Sequence, residues 1–303
     1  LCVGIYDNLV FNSTIDRNKH VIPGEVLAEI INGSQALFET LSSFGINIHY
    51  LGGETADVGD VVRTIAVNGT LTARWPKNKL ITNERIKVGD VIVGLSSFGQ
   101  ATYESTYNSG IASNGLTSAR HDMLNNHYAQ HFPETFDPNT NKEVVYVGPY
   151  RLTDKVPIWY RGLQQDLSIG QLLLSPTRTF APVVREILMR YNKAIHGMVH
   201  CSGGGQTKCL KYVPDGVSVV KDNLIEVPEV FHLIQKAGGA DLREMYQVFN
   251  MGTRLEVYTS ADVADEIINM ATSYGIEAQI IGRVEAAEIK SVKIKTAEGT
   301  LTF

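Results

Sequence analysis

The chain has 303 residues, 44% of them hydrophobic and 19% charged, which fits a globular protein long enough for two domains and excludes a disordered or collagen-like one. Lys and Arg number 27 against 32 Asp and Glu, and the formal charge of −5 gives no global field for nucleic acid or an anionic membrane surface. The 3 cysteines, Cys2, Cys201 and Cys209, make no CxxC pair, which argues against a disulfide framework or structural zinc and fits a reducing cytoplasm.

The chain opens at LCVGIYDN, without Met and in a pattern that reads as strand, so a native segment upstream of Leu1 is expected. From Pro23 to Phe44, apolar residues such as Val26, Ile30, Leu37 and Leu41 recur at helical spacing, and Gly45 is placed to end the helix. INIHYL then reads as a short strand, GGETAD as a glycine-led loop, and VVRTIAVNGTLTARW as strand with a turn at Asn68-Gly69. VIVGLSS is a continuous apolar run suited to a buried strand, and a domain junction is expected around Lys87, dividing 1–86 from 87–303.

SNGLTSARHDML looks helical, with Ser113 or Asn114 near its cap. Residues 121–170 show no sustained period and read as an irregular insertion. In SPTRTFAPVVREILMRY, Ser175 can cap a helix and Pro176 can take its first position, with a break at Pro182. Downstream, helices at PEVFHLIQKAG and LREMYQVF are followed by strand, helix and strand in RLEVYTS, ADVADEIINMATSYG and AQIIGRVE. This alternation indicates an α/β or α+β architecture.

Three short stretches carry the chemistry. In HCSGGGQTK, the row Gly203-Gly204-Gly205 lets backbone amides approach an anion such as phosphate, although a tight structural turn explains it as well. Thr207 precedes Lys208, the reverse of the P-loop order, which disfavours a standard P-loop NTPase. GGETAD sets Glu54, Thr55 and Asp57 after two glycines: oxygen ligands suited to Mg2+, or a solvated polar turn. FNMGT offers Asn250 and Gly252 before a strand, and by itself reads as a turn. His200 borders the glycine row and could donate to a phosphate or a developing oxyanion, or be a satisfied strand-end histidine. No HExxH or G-x-S-x-G is present.

The order GGETAD, GLSSFG, SNGLTSAR, SPTR, HCSGGG and VFNMGTRLEV resembles the aminoimidazole ribonucleotide synthetase (phosphoribosylformylglycinamidine cyclo-ligase) family over nearly the whole chain outside 121–170. The resemblance implies a two-domain ATP-dependent synthetase fold: N-terminal strands completing a barrel across a homodimer, and a C-terminal mixed sheet with helices. It implies ATP and Mg2+ as cofactors and a small ribonucleotide substrate, while the charge balance and the lack of an eighteen-residue apolar run lead to no expected nucleic-acid or membrane partner. The activity implied is cyclisation of formylglycinamidine ribonucleotide to aminoimidazole ribonucleotide in purine biosynthesis.

On that resemblance Glu54, Thr55, Asp57, Asn250 and Gly252 fall to the nucleotide, with Glu54 and Asp57 on the metal. Gly115, Ser202, Gly203, Gly204 and Gly205 fall to substrate and phosphate, and His200 and Asn114 to catalysis. The chain departs from the family in lacking the D-G-V-G-T-K-like motif before Leu1 and in having Ala112 where H-S-N-G is usual. Thiamine-monophosphate kinase, selenophosphate synthetase and a non-catalytic dimeric binding protein are the competing readings.

Overall fold

A computed structural model describes residues 1–303 and places their strands in two main sheets and one separate hairpin. Strands β1 (Leu9–Arg17), β2 (Ile48–Asp57) and β3 (Ile65–Ala73) form the first sheet, in the order β2-β1-β3. β1 and β2 are parallel, joined by the expected helix at Gly24–Ser43, and β3 runs antiparallel to β1. Helix and sheet meet at Leu9, Leu41 and Ile46, and Phe11, Phe38 and Tyr50 pack ring against ring beside them. Gly45 follows the helix at φ +74°, a left-handed turn that costs glycine little. β3 is an edge strand that leaves Val67 49% and Leu71 52% exposed.

Several local expectations are corrected in this half. Residues 1–8 are irregular, and the first strand begins at Leu9. GGETAD is the second half of β2 rather than a loop, with Gly53 opposite Ser13 and Asp57 opposite Arg17. Asn68 and Gly69 make no turn, because they pair with Thr14 and Ser13 in the middle of β3. The glycine of GGETAD has a packing reason: a Cβ on Gly53 would fall 1.7 Å from the Ser13 carbonyl oxygen, beside an irregularity in the β1/β2 register.

The second sheet is built from β4 (Val91–Ser96), β7 (Ile195–His200), β8 (Val217–Lys221), β9 (Thr253–Thr259), β10 (Ala278–Ala286), β11 (Ser291–Thr296) and β12 (Gly299–Thr302). Its order is β12-β11-β8-β10-β4-β9-β7, and only β8 and β11 pair in parallel. Helices Ala181–Tyr191 and Ala261–Ser273 cover one face through Val183, Ile187, Leu255, Val257 and Ile267. Helices Leu116–Met123, Glu229–Gly238 and Leu242–Val248 cover the other. No helix is long and apolar enough to cross a membrane.

Inside 121–170 the chain is more ordered than its sequence suggests. It forms a short helix at His127–His131 and a hairpin of β5 (Lys155–Tyr160) and β6 (Leu163–Ser168), and buries Val145, Tyr146 and Ile158 in the larger core. The Arg63 guanidinium, between β2 and β3, donates to the Phe136 carbonyl and ties this segment to the first sheet.

Two helix starts also differ from expectation. Gly115, at φ +75°, caps Leu116–Met123 in place of Ser113 or Asn114. SPTR is irregular rather than helical, and Pro182 sits in the first turn of Ala181–Tyr191, where a missing N–H breaks no helical bond. SPTR instead delivers Arg178 into the interior, where it grips Glu104 at 2.6 and 2.9 Å and donates to the Ser96 and Phe98 carbonyls at 3.0 and 2.7 Å.

Gly53→Ala is expected to open the β1/β2 pair and to destabilise the first sheet by about 2–3 kcal/mol, the cost of forcing a methyl into a filled contact. Faster amide hydrogen exchange along β2, with the second sheet unchanged, is the measurement that checks it.

Candidate functional site

β7 ends at His200, and the chain leaves the sheet through Cys201, Ser202, Gly203 and Gly204 into a 3-10 helix, Gly205–Lys211. Gly204 has φ +99° and Gly205 φ +49°, and a Cβ on Gly205 would lie 2.5 Å from the carbonyl oxygens of both Tyr246 and Phe249. Gly203 is different, since a Cβ there would meet only Asn114 Oδ1 at 3.4 Å. The Ser202 and Gly205 amides are used within the turn, each at 2.8 Å, but the Gly203 and Gly204 amides have no acceptor in the protein. Two adjacent free N–H groups beside a cation form an anion cradle. The cation is Lys208, whose Nζ lies 2.5 Å from Ser202 Oγ.

Two other loops are clasped against this row. Asn250 Nδ2 donates to the Gly110 carbonyl at 2.8 Å, while its Oδ1 accepts from the Gly252 amide at 3.0 Å. Asn114 Nδ2 donates to the Val248 carbonyl at 2.5 Å, and Gln206 Nε2 donates to the Asn250 and Thr253 carbonyls at 2.5 and 2.7 Å. A side chain on Gly115 would strike the Phe249 ring at 2.4 Å, and one on Gly252 the Glu226 carbonyl at 2.7 Å. Asn114, Gly115, Ser202 to Gly205, Asn250 and Gly252 therefore converge. Within the cluster Asn250 is 2% exposed and both ends of its amide are occupied, so it builds the site rather than reaching out of it.

Glu54, Thr55 and Asp57 stand apart, in the first sheet, with no hydrogen bond or ion pair to these loops. Over Gly53–Asp57 the strand is regular, so Thr55 and Asp57 share one face and Glu54 takes the other. Asp57 is held by Lys19, through Nζ at 2.9 Å and the amide at 3.1 Å, which lowers its pKa. Two carboxylates on opposite faces, one already paired, do not make a shared Mg2+ site, and no cluster of three His, Cys, Asp or Glu residues occurs elsewhere.

His200 borders a cavity of 420 Å³ that also touches Cys2, Arg178, Phe180 and Leu255. Burial first, and then the positive charges of Arg254 and Lys208, depress its pKa to about 4. At neutral pH the ring is uncharged and offers one donor and one acceptor. Burial pushes the Cys201 thiol well above its usual pKa, and the thiol donates to Glu256 Oε1 at 3.2 Å, so it is no ready nucleophile.

Sequence reasoning missed the support beneath the glycine row. Lys221 and Glu256, both fully buried, form an ion pair. Lys221 also donates to the carbonyl and side-chain oxygen of Gln206 at 2.6 and 3.0 Å, and Tyr258 donates to the second Glu256 oxygen at 2.7 Å. Burial pulls the Lys221 pKa down, but the neighbouring acidic groups, Cys209 and Glu256, outweigh it and hold the ammonium above its usual range. Strands β10 and β4 lie between the partners, and the facing residues there are glycines: Gly282 opposite Lys221, Gly94 opposite Glu256. The readable signal was charge in two otherwise apolar strands, Lys221 in VSVVK and Arg254 with Glu256 in TRLEVYT, where only pairing makes burial tolerable.

Residues 166–295, which carry the glycine row, the FNMGT loop and the buried ion pair, match the model of the family described as AIR synthase related protein, C-terminal domain. The chain belongs to the AIR synthase related family. It is 33% identical over 249 residues to a phosphoribosylformylglycinamidine cyclo-ligase of Methanocaldococcus jannaschii, covering 82% of this chain and 60% of that protein. It is 31% identical over 254 residues to a protein of the same name from Methanobrevibacter smithii, covering 84% and 62%. The chain thus spans about three-fifths of these relatives' length.

Among solved structures, a HypE–HypF complex superposes with a TM-score of 0.56 at 16% identity, covering 97% of this chain and 76% of the other. PurLQS from Thermotoga maritima superposes at 0.51 and 12% identity, covering 100% and 38%. At such identities the likeness is one of fold, and it takes in both sheets.

Lys221→Met strands a buried carboxylate beneath the row, and the expected cost is about 3–5 kcal/mol. Adding Glu256→Leu removes that charge, and recovery of most of the loss in a denaturant double-mutant cycle checks the coupling.

Proposed function

We propose that this chain forms the greater part of a phosphoribosylformylglycinamidine cyclo-ligase, an enzyme that closes formylglycinamidine ribonucleotide to aminoimidazole ribonucleotide with ATP. ATP phosphorylates the amide oxygen of the substrate, a nitrogen attacks the activated carbon, and phosphate leaves as the imidazole ring closes. The observation that carries the reading is the convergence of three loops on two unpaired glycine amides and Lys208, in a chain 33% identical to a protein of that name. Such a cradle suits the phosphate of a ribonucleotide or the phosphoryl group in transfer.

In this reading Gly203, Gly204 and Lys208 hold phosphate oxygens, with Ser202 and Gly205 setting the curvature of the turn. Neutral His200 can donate a hydrogen bond to the developing oxyanion without bringing a charge of its own. Asn114 offers its Oδ1 beside Gly203, Gly115 gives the loop its turn, and Asn250 with Gly252 keeps the loops in register. Glu54, Thr55 and Asp57 are assigned to the nucleotide side on family resemblance.

The domain boundary is proposed near Lys87, in the connection between β3 and β4. A second copy is the proposed partner of edge strand β3, whose exposed Val67 and Leu71 call for cover. The cytoplasm is the proposed compartment, consistent with 3 free cysteines.

The test uses the chain extended to its relatives' length, measuring ADP release and aminoimidazole formation with and without formylglycinamidine ribonucleotide. Both products should appear together and only with that substrate in the presence of Mg2+. ADP formed only with a different acceptor, or no turnover with any acceptor, contradicts the cyclo-ligase assignment.

A further inference from the structure

Arg254 is an anomaly in the interior. It is 2% exposed and lies on β9, where its own carbonyl accepts from the Cys201 amide at 2.6 Å, immediately before the glycine row. A guanidinium has five N–H donors and a fixed charge, and a buried one ordinarily meets a carboxylate. Arg254 donates only to the Ile111 carbonyl, at 3.2 Å, its Nε has no partner, and it takes part in none of the chain's ion pairs.

The nearest carboxylate along the same face of β9 is Glu256, whose oxygens are committed to Lys221, Cys201 and Tyr258. Arg178 shows what this fold does with a structural arginine, satisfying it with Glu104 on two nitrogens and backbone carbonyls on the third. The contrast points outward, to a counter-ion that arrives with a ligand.

The surroundings agree. Ile111, the one acceptor for Arg254, leads directly into the turn that brings Asn114 against Gly203. The other cation at the row is Lys208, and both cations act on His200. Of five buried polar side-chain atoms without a partner, two belong to Thr253 and Arg254 on β9 and one to Ser97, just past the end of β4, whose amide donates to the Gly252 carbonyl at 2.9 Å.

We infer that the Arg254 guanidinium is the buried counter-charge of a phosphate-type anion bound at Gly203 and Gly204, closing from within the cradle that Lys208 closes from outside. The inference rests on the phosphate reading of the glycine row and adds to it a residue that binds the anion by its charge. A planar fork suits two phosphate oxygens, which is a reason for arginine rather than lysine at this depth.

The test is thermal melting of the full-length chain in rising inorganic phosphate, against chloride at matched ionic strength, for wild type, Arg254→Met and Arg254→Lys. Wild type should melt higher as phosphate rises. Arg254→Met keeps the packing of the stem and removes an uncompensated charge. It should melt within a few degrees of wild type without phosphate, yet bind phosphate at least about tenfold more weakly, roughly 1.4 kcal/mol. Arg254→Lys should fall between them, and the His200 titration, followed by NMR, should move up in Arg254→Met because a neighbouring cation is gone.

If Arg254→Met and wild type respond alike, the cradle stands and the role given to Arg254 fails. If wild type itself ignores phosphate, the phosphate reading of the row fails first. Should Arg254→Met not fold, Arg254→Gln, which also removes the charge, takes its place, and phosphate binding by that variant as tight as in wild type overturns the inference equally.

Discussion

The ion pair of Lys221 and Glu256 is the contact on which the site depends. Each charge is fully buried, and neither would be tolerated alone in an interior without water. Their side chains meet across strands β10 and β4, whose facing residues are Gly282 and Gly94. Lys221 spends its remaining hydrogens on Gln206, at the start of the 3-10 helix, and Gln206 holds the FNMGT loop through the Asn250 and Thr253 carbonyls. One buried salt bridge therefore fixes the height of the glycine row above the sheet and the position of the loop beside it.

From that anchor the cradle follows with few further requirements. Gly205 admits two carbonyl oxygens into the space where a side chain would stand, which brings the row against the helix Leu242–Val248. The left-handed backbone that glycine allows at Gly204 and Gly205 leaves the Gly203 and Gly204 amides without an internal acceptor. Burial and neighbouring cations keep His200 neutral, so positive charge at the row resides on Lys208 and Arg254. The site is rigid where it must exclude water and bare where an anion must come close, which is the condition for electrostatic stabilisation without reorganisation.

The layered architecture was legible because its signals are periodic: the helix Gly24–Ser43, the buried strand Val91–Ser96 and the final strand, helix and strand all lie where spacing put them. The misreadings cluster where composition mimics a turn. Gly52, Gly53, Asn68 and Gly69 are turn residues by type, but Gly53 serves a close crossing of strands and Asn68-Gly69 a paired edge, contacts set by residues far away in sequence. SPTR carried a helix cap by type and an interior arginine in fact, because the demand of Glu104 for a bidentate partner outweighs a local propensity.

The glycine row was visible as a bare backbone, and its neighbours Asn114 and Asn250 as loop residues, but their mutual clasp was not. Lys221, Glu256 and Arg254 stayed hidden, since charges in apolar strands declare burial without naming their partners.

The central claim is that two backbone amides at the end of β7 receive an anion, and the most direct measurement is a phosphate titration of the amide resonances of isotope-labelled protein. The account predicts saturable downfield shifts of Gly203 and Gly204 at a common dissociation constant, with the first sheet undisturbed. Unmoved Gly203 and Gly204 resonances, with shifts confined to β1–β3, would contradict it.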